Sequence, residues 1–143
     1  MATRVEFHTG VADPLGFACR LLRKAYLQGA RVLVTAPPSS LAQLDEQLWS
    51  FEAQSFVPHL RWRAGAAAAA RTPIWLVDGA PPAGAPPVLV NVGAPIVDAP
   101  QDFERIIEIV AADDAERHAG RARWRGYEAL GLPITHHGAT PAR

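Results

Sequence analysis

Val5, Phe7 and Thr9 alternate with Glu6 and His8, a period-two pattern that predicts a strand near the start of the chain. Asp13 then Pro14 is an N-cap residue with proline at the first helical position. Leu15, Ala18, Cys19, Leu22, Ala25 and Tyr26 continue as one face of a helix that stops at Gly29. Residues 31–35, RVLVT, form a near-continuous apolar run, expected of a strand buried on both faces and closed by Pro37-Pro38. Ser40 and Gln43 make a capping-box pair, and Leu41, Leu44 and Leu48 repeat at one-face helical spacing, so a helix is predicted to about Trp49. Strand, helix, strand, helix within 50 residues implies right-handed crossovers and a parallel sheet.

Beyond Trp49 the pattern is less regular. Phe56, Val57 and Pro58 form an apolar tripeptide in which proline forbids a central strand. With Trp49 on the margin of the leucine stripe, these residues either complete a core or make a docking patch. Residues 61–71, RWRAGAAAAAR, read as a mobile connector of low complexity. The Arg61-Trp62-Arg63 triplet alternates basic and aromatic residues but is too short for a nucleic-acid track. Residues 74–77 and 88–92 are predicted strands. The linker GAPPAGAPP between them is too short and proline-rich for a crossover helix, so antiparallel pairing is expected and the sheet is read as mixed. Residues 102–105 can make one helical turn, and 106–110 read as the last strand.

A final helix is predicted from Asp113 to about Gly131, with acids in its first turn and arginines following. At 100° per residue, Ala115, Ala119, Ala122, Gly126 and Ala129 fall on one side, a smooth face expected against the sheet. Arg117, Arg121, Trp124 and Glu128 fall on the other, with Arg125 at the flank. The elements together predict an α/β fold: a single-domain three-layer sandwich over residues 1–132 with a mostly parallel mixed sheet, followed by a C-terminal tail over 133–143.

Composition narrows the function. The chain has 143 residues, 49% hydrophobic and 20% charged, enough for one buried core. One cysteine, Cys19, lies on an apolar helix face and reads as a small buried hydrophobe, so a reducing, cytoplasmic setting is expected. No apolar run has the length of a membrane span. Fourteen basic and 14 acidic residues balance, which leaves no general attraction to phosphate backbones. The topology is nucleotide-binding-like without a phosphate-binding loop: the turn over residues 8–14 holds one glycine and a proline, with no GxGxxG, and no GxxxxGK[ST] occurs. An enzyme built on the strand ends would have to use His8, Asp13, His59 and Asp78, which show no spacing of nucleophile, base and orienting group. His136 and His137 read as part of a solvated terminus, because no further metal ligand has a suitable spacing. No cofactor, metal or catalytic residue is predicted.

The arginine face carries the stronger signal. Guanidinium forks match carboxylates in two-toothed fashion and an indole supplies an apolar wall, which together would hold an acidic peptide with an aromatic end. LDEQLW (residues 44–49), SFVPH (55–59) and RARWRGYEALGL (121–132) closely resemble the chi subunit of bacterial DNA polymerase III, in an element order that agrees over nearly the whole chain. The resemblance implies an α/β fold without enzymatic activity and an adaptor with two partners. One is the psi subunit, which ties chi to the clamp loader. The other is the acidic C-terminal tail of the single-stranded-DNA-binding protein. It further implies psi-facing contacts at Trp49, Phe56, Val57 and Pro58, and tail-facing contacts at Arg117, Arg121, Trp124 and Arg125. Residues 61–71 depart from the family pattern and receive no role.

Overall fold

A computed structural model describes residues 3–50, 57–64 and 67–138. The chain runs β1 (Arg4–Val11), α1 (Pro14–Leu27), β2 (Val32–Thr35), α2 (Pro38–Ser50), β3 (His59–Arg61), β4 (Ile74–Val77), β5 (Val88–Asn91), β6 (Arg105–Ala111), α3 (Asp114–Ala129) and β7 (Ile134–Gly138). The strands form one seven-stranded sheet in the order β3-β4-β2-β5-β6-β1-β7, and each described pairing is parallel. β2 and β4 are buried along their whole length, as their unbroken apolar runs require. Helices α1 and α2 cover one face, where Leu22, Leu41, Leu44 and Leu48 pack on Val34, Leu76 and Val90. α3 covers the other beside β1 and β6, where Phe7, Ile106, Val110 and Tyr127 form a second core. The predicted three-layer α/β architecture is therefore present. Among the described residues no helix is long and apolar enough to cross a membrane.

Several local expectations change. β4 and β5 do not pair antiparallel; they flank β2, with Val32 opposite both Ile74 and Val88. The ten residues 78–87 between them need no helix to make the crossover. Extended, they reach about 33 Å, whereas returning along a four-residue strand and stepping over one neighbour needs less than 20 Å, roughly. Pro38 does not precede α2 but opens it, a position that tolerates the missing amide. The alanine run, expected as a mobile connector, includes a 3-10 turn over Ala67–Arg71. It is docked by Trp75, whose Nε1 donates to Ala69 O at 2.9 Å and Thr72 O at 2.8 Å. β3 begins at His59 as an edge strand, the one place where a strand can directly follow Pro58. β6 is not the last strand: residues 134–138, expected within a tail, form β7 on the far edge beside β1.

The largest correction concerns α3. Gly120, Arg123 and Tyr127 are its buried residues, while Ala115, Ala122 and Ala129 of the projected small face are exposed. Burying a tyrosine and most of a tryptophan removes far more apolar surface from water than burying alanines. The helix turns accordingly. Gly120 allows the close approach: a Cβ there would meet Val110 Cγ1 at 2.9 Å.

Candidate functional site

The turn before α3 ends at Asp113, which caps the helix by accepting the Glu116 amide at 3.2 Å. From that start, Arg117, Arg121 and Arg125 follow at four-residue intervals and share one exposed stripe. Trp124 sits beside the stripe, half-buried rather than on the far side of the helix. Its ring lies 4.8 Å from that of Phe7 on β1, tilted by 47°, and meets His136 of β7 edge-on at 5.7 Å. His136 is in turn held by Thr9, with 2.7 Å between Nε2 and Oγ1.

These residues enclose a cavity of about 450 Å³. Phe7, Val110 and Trp124 give it an apolar floor, Thr9 and His136 a polar end, and Arg117, Arg121 and Arg125 a cationic rim. The structure thus brings together all four residues that the sequence nominates on this helix. Arg117 Nη1 approaches Asp114 Oδ1 at 3.4 Å, a pair too exposed to hold the guanidinium firmly. Among the described residues no carboxylate pairs with Arg121 or Arg125. The cavity therefore offers unneutralised positive charge above an aromatic surface. That combination suits a carboxylate-bearing ligand with an apolar end.

Beneath this face lies a buried polar network that sequence reasoning missed. Glu108, fully buried in β6, accepts from Arg123 Nε at 2.8 Å and from Tyr127 Oη at 2.5 Å. It also accepts from Asn91 Nδ2, at 3.0 and 3.2 Å to its two oxygens. Asn91 Oδ1 accepts from Thr35 Oγ1 at 2.9 Å. Burial first, then the charge of Glu108 and the hydrogen bond to it, pushes the Tyr127 phenol far above its ordinary range, so it remains a donor. Arg123 Nη2 is buried without a partner. The available signal was Glu108 itself, a lone charge inside the apolar run 106–110.

The second nominated patch lies near the opposite edge of the sheet. Trp49 is 60% exposed, and its ring stands 4.9 Å from that of His59 on edge strand β3. His59 is buried, with Nε2 2.9 Å from Asp45 Oδ1 and Nδ1 2.7 Å from Val57 O. Val57 has no exposed surface and packs in the core with Leu41, Leu44 and Leu48. A short segment tethered by His59 puts it there, so among the described members of the patch Trp49 and the half-buried Pro58 meet solvent. Phe56 lies outside the described residues.

The structure does not bring His8, Asp13, His59 and Asp78 into one site. His8 stacks on His137, and burial followed by the charge of His137 pushes its pKa below the usual imidazole range. Asp13 accepts the Gly16 amide at 3.1 Å. His59 is engaged by Asp45. Asp78 borders a separate cleft of about 760 Å³ beside the carboxyl ends of β2, β4 and β5, where open α/β sheets bind ligands. That cleft is rich in proline, including Pro37, Pro81, Pro86 and Pro95, and carries Asp98 and Asp102. No basic side chain lines it among the described residues. Prolines lack amide donors and carboxylates repel phosphate, so the cleft is poorly made for a nucleotide.

Residues 2–135 match the family model described as DNA polymerase III chi subunit, HolC. The chain belongs to the DNA polymerase III chi subunit family. Curated chi relatives agree along most of their length. The DNA polymerase III subunit chi of Pseudomonas aeruginosa is 36% identical over 140 residues, covering 94% of this chain and 96% of that protein. The Haemophilus influenzae subunit is 32% identical over 112 residues, covering 76% and 75% of the two chains. The Escherichia coli K12 subunit is 26% identical over 118 residues, covering 81% and 79%. The chi match spans β1 through the start of β7, so it takes in the Trp49 corner and every lining residue of the arginine-rimmed cavity except His136.

Proposed function

We propose that this chi-family protein is a non-catalytic adaptor of DNA replication. In this reading the α3 cavity captures the acidic C-terminal tail of the single-stranded-DNA-binding protein, and Trp49, Phe56 and Pro58 dock the psi subunit of the clamp loader. The observation that carries the tail site is the pairing of unneutralised Arg121 and Arg125 with the Trp124 and Phe7 floor of one cavity. A tail ending in an aromatic residue would put its ring on that floor and its carboxylates on the guanidinium rim. An adaptor that joins two modest contacts raises the effective concentration of polymerase at coated single-stranded DNA without any catalytic group of its own. Net charge of zero favours recognition by local charge over direct nucleic-acid binding.

Calorimetry with the tail peptide tests the site. Arg121→Ala is expected to lose on the order of 1 to 3 kcal/mol of binding without unfolding the protein, since the side chain is exposed. Wild-type binding should weaken as salt rises. Unchanged affinity in Arg121→Ala removes the proposed site.

A further inference from the structure

The segment after Leu132 brings two histidines onto the sheet edge. β7 pairs in parallel with β1 so that Glu6 faces Thr135, Phe7 faces His136 and His8 faces His137. Successive side chains alternate between faces, so Phe7 and His136 turn toward α3 while Glu6, His8 and His137 turn toward α1. On that second side the His8 and His137 rings stack, 4.7 Å between centroids and 12° between planes. Phe17 of α1 backs His8 at 5.1 Å. One donor atom from each of Glu6, His8 and His137 lies within 4.8 Å of the other two.

We propose that Glu6, His8 and His137 form a binding site for a late first-row divalent cation, zinc above all, which fastens edge strand β7 to β1. Two imidazoles and one carboxylate are a donor set for zinc, nickel or copper, whereas magnesium and calcium take oxygen ligands. The sequence could not show this set, because His137 lies far along the chain from Glu6 and His8 and reaches them by strand pairing, not by local spacing.

Tetrahedral zinc holds nitrogen at 2.0 to 2.1 Å, so its ligand atoms stand about 3.3 Å apart and the cluster has to contract by roughly 1.5 Å. His137 can supply the movement: it is exposed and belongs to the last strand of the sheet, so a rotamer change tilts its ring out of the stack toward a shared ion. The other two ligands are already placed. His8 is backed by Phe17, and Glu6 is gripped by Arg105, Nε to Oε2 at 2.6 Å and Nη2 to Oε1 at 2.9 Å. Each carboxylate oxygen keeps a second lone pair, and a hydrogen-bonded outer partner is the usual support of a metal-binding carboxylate. The positive charge of Arg105 opposes the cation and holds the affinity to a modest value. Three protein ligands leave a position for water.

Calorimetric titration of the full chain with zinc chloride, with magnesium chloride as control, tests the assignment. One zinc per chain is expected, with no comparable binding of magnesium. His137→Ala, at an exposed position, should fold normally and bind zinc at least about tenfold more weakly, no less than the loss typical of an outer-sphere partner. His118→Ala, on the exposed face of α3, should bind as wild type. Zinc should raise the thermal midpoint of the wild type and leave that of His137→Ala unmoved. No saturable zinc binding, equal binding of magnesium, or unchanged zinc affinity in His137→Ala would each overturn the site.

Discussion

Replacing Glu108 with leucine strands a guanidinium in the second core. Glu108 has no exposed surface and Arg123 only 6%, so the change leaves Arg123 with no counter-charge and removes the acceptor of the Tyr127 hydroxyl. Breaking a buried pair from one side costs about 3 to 5 kcal/mol. Arg123→Met should cost less, because Glu108 keeps its donors from Tyr127 and Asn91 and because Arg123 Nη2 is already unsatisfied in the folded protein. The double variant Glu108→Leu with Arg123→Met removes both charges. It leaves mainly the Tyr127 hydroxyl unpaired, a cost of about 1 to 3 kcal/mol.

The expected order of stability loss is therefore Glu108→Leu first, Arg123→Met second and the double variant last. Urea unfolding followed by tryptophan fluorescence resolves it. With a slope of about 1 to 3 kcal/mol per molar, a loss of about 4 kcal/mol moves the midpoint by roughly 2 M. The double-mutant cycle supplies the decisive number, a coupling that makes the pair of substitutions milder than Glu108→Leu alone. A double variant as unstable as the sum of the two singles would refute the reasoning, since it would mean the two side chains act independently.

Four further outcomes follow from the same structure. Gly120→Ala should destabilise by about 1 to 3 kcal/mol despite alanine's better helix propensity, because its Cβ collides with Val110 at 2.9 Å; a stabilised variant in urea unfolding would show that β6 yields freely. Burial, chiefly, pushes the Cys19 thiol up to about 11, so iodoacetamide at neutral pH should label it only after unfolding. The raised value means the folded chain keeps a proton that the unfolded chain releases, so this contribution to stability is whole below about pH 9 and declines as pH rises toward 11, measurable by urea midpoints across that range. Pull-downs with Trp49→Ala and Trp124→Ala should lose different partners, and loss of the same partner by both would collapse the two proposed surfaces into one.

The elements were legible where one local rule governed. Asp13-Pro14 announced the start of α1, and the Leu41, Leu44, Leu48 stripe announced the buried side of α2. The errors share a cause: each depended on a partner distant in sequence. The parallel placement of β4 and β5 depends on both pairing with β2. The docking of the alanine run depends on an indole in β4. The inward turn of Arg123 depends on a glutamate 15 residues earlier in another element. Helical projection placed Arg121 and left Arg123 unassigned, and only a buried counter-charge tells the two apart. The residues proposed for the tail site came from the resemblance and the helical projection, but Trp124 reaches the cavity by leaning on Phe7 and not by facing away from the sheet. Among the residues that the resemblance nominates for psi, Val57 is buried, and an apolar side chain does not by itself separate a docking residue from a core one.

The buried pair also bears on why α3 presents its arginines where it does. Apart from Tyr127 and Trp124, the helix brings little apolar bulk to the sheet, and nonpolar contacts alone tolerate a roll about the helix axis. A roll of one residue position, about 100°, would carry the arginine stripe away from the cavity. The Arg123–Glu108 contact is directional and is satisfied in one orientation only, so we read it as a device that sets rotation more than one that adds net stability. The double variant separates these roles. If the pair sets rotation, that protein should hold most of its stability yet bind the acidic tail peptide more weakly, with Arg117, Arg121 and Arg125 all intact. If tail affinity survives, the orientation belongs to the packing of Tyr127 and Trp124 against Phe7, and the buried charges are carried by the fold without guiding it.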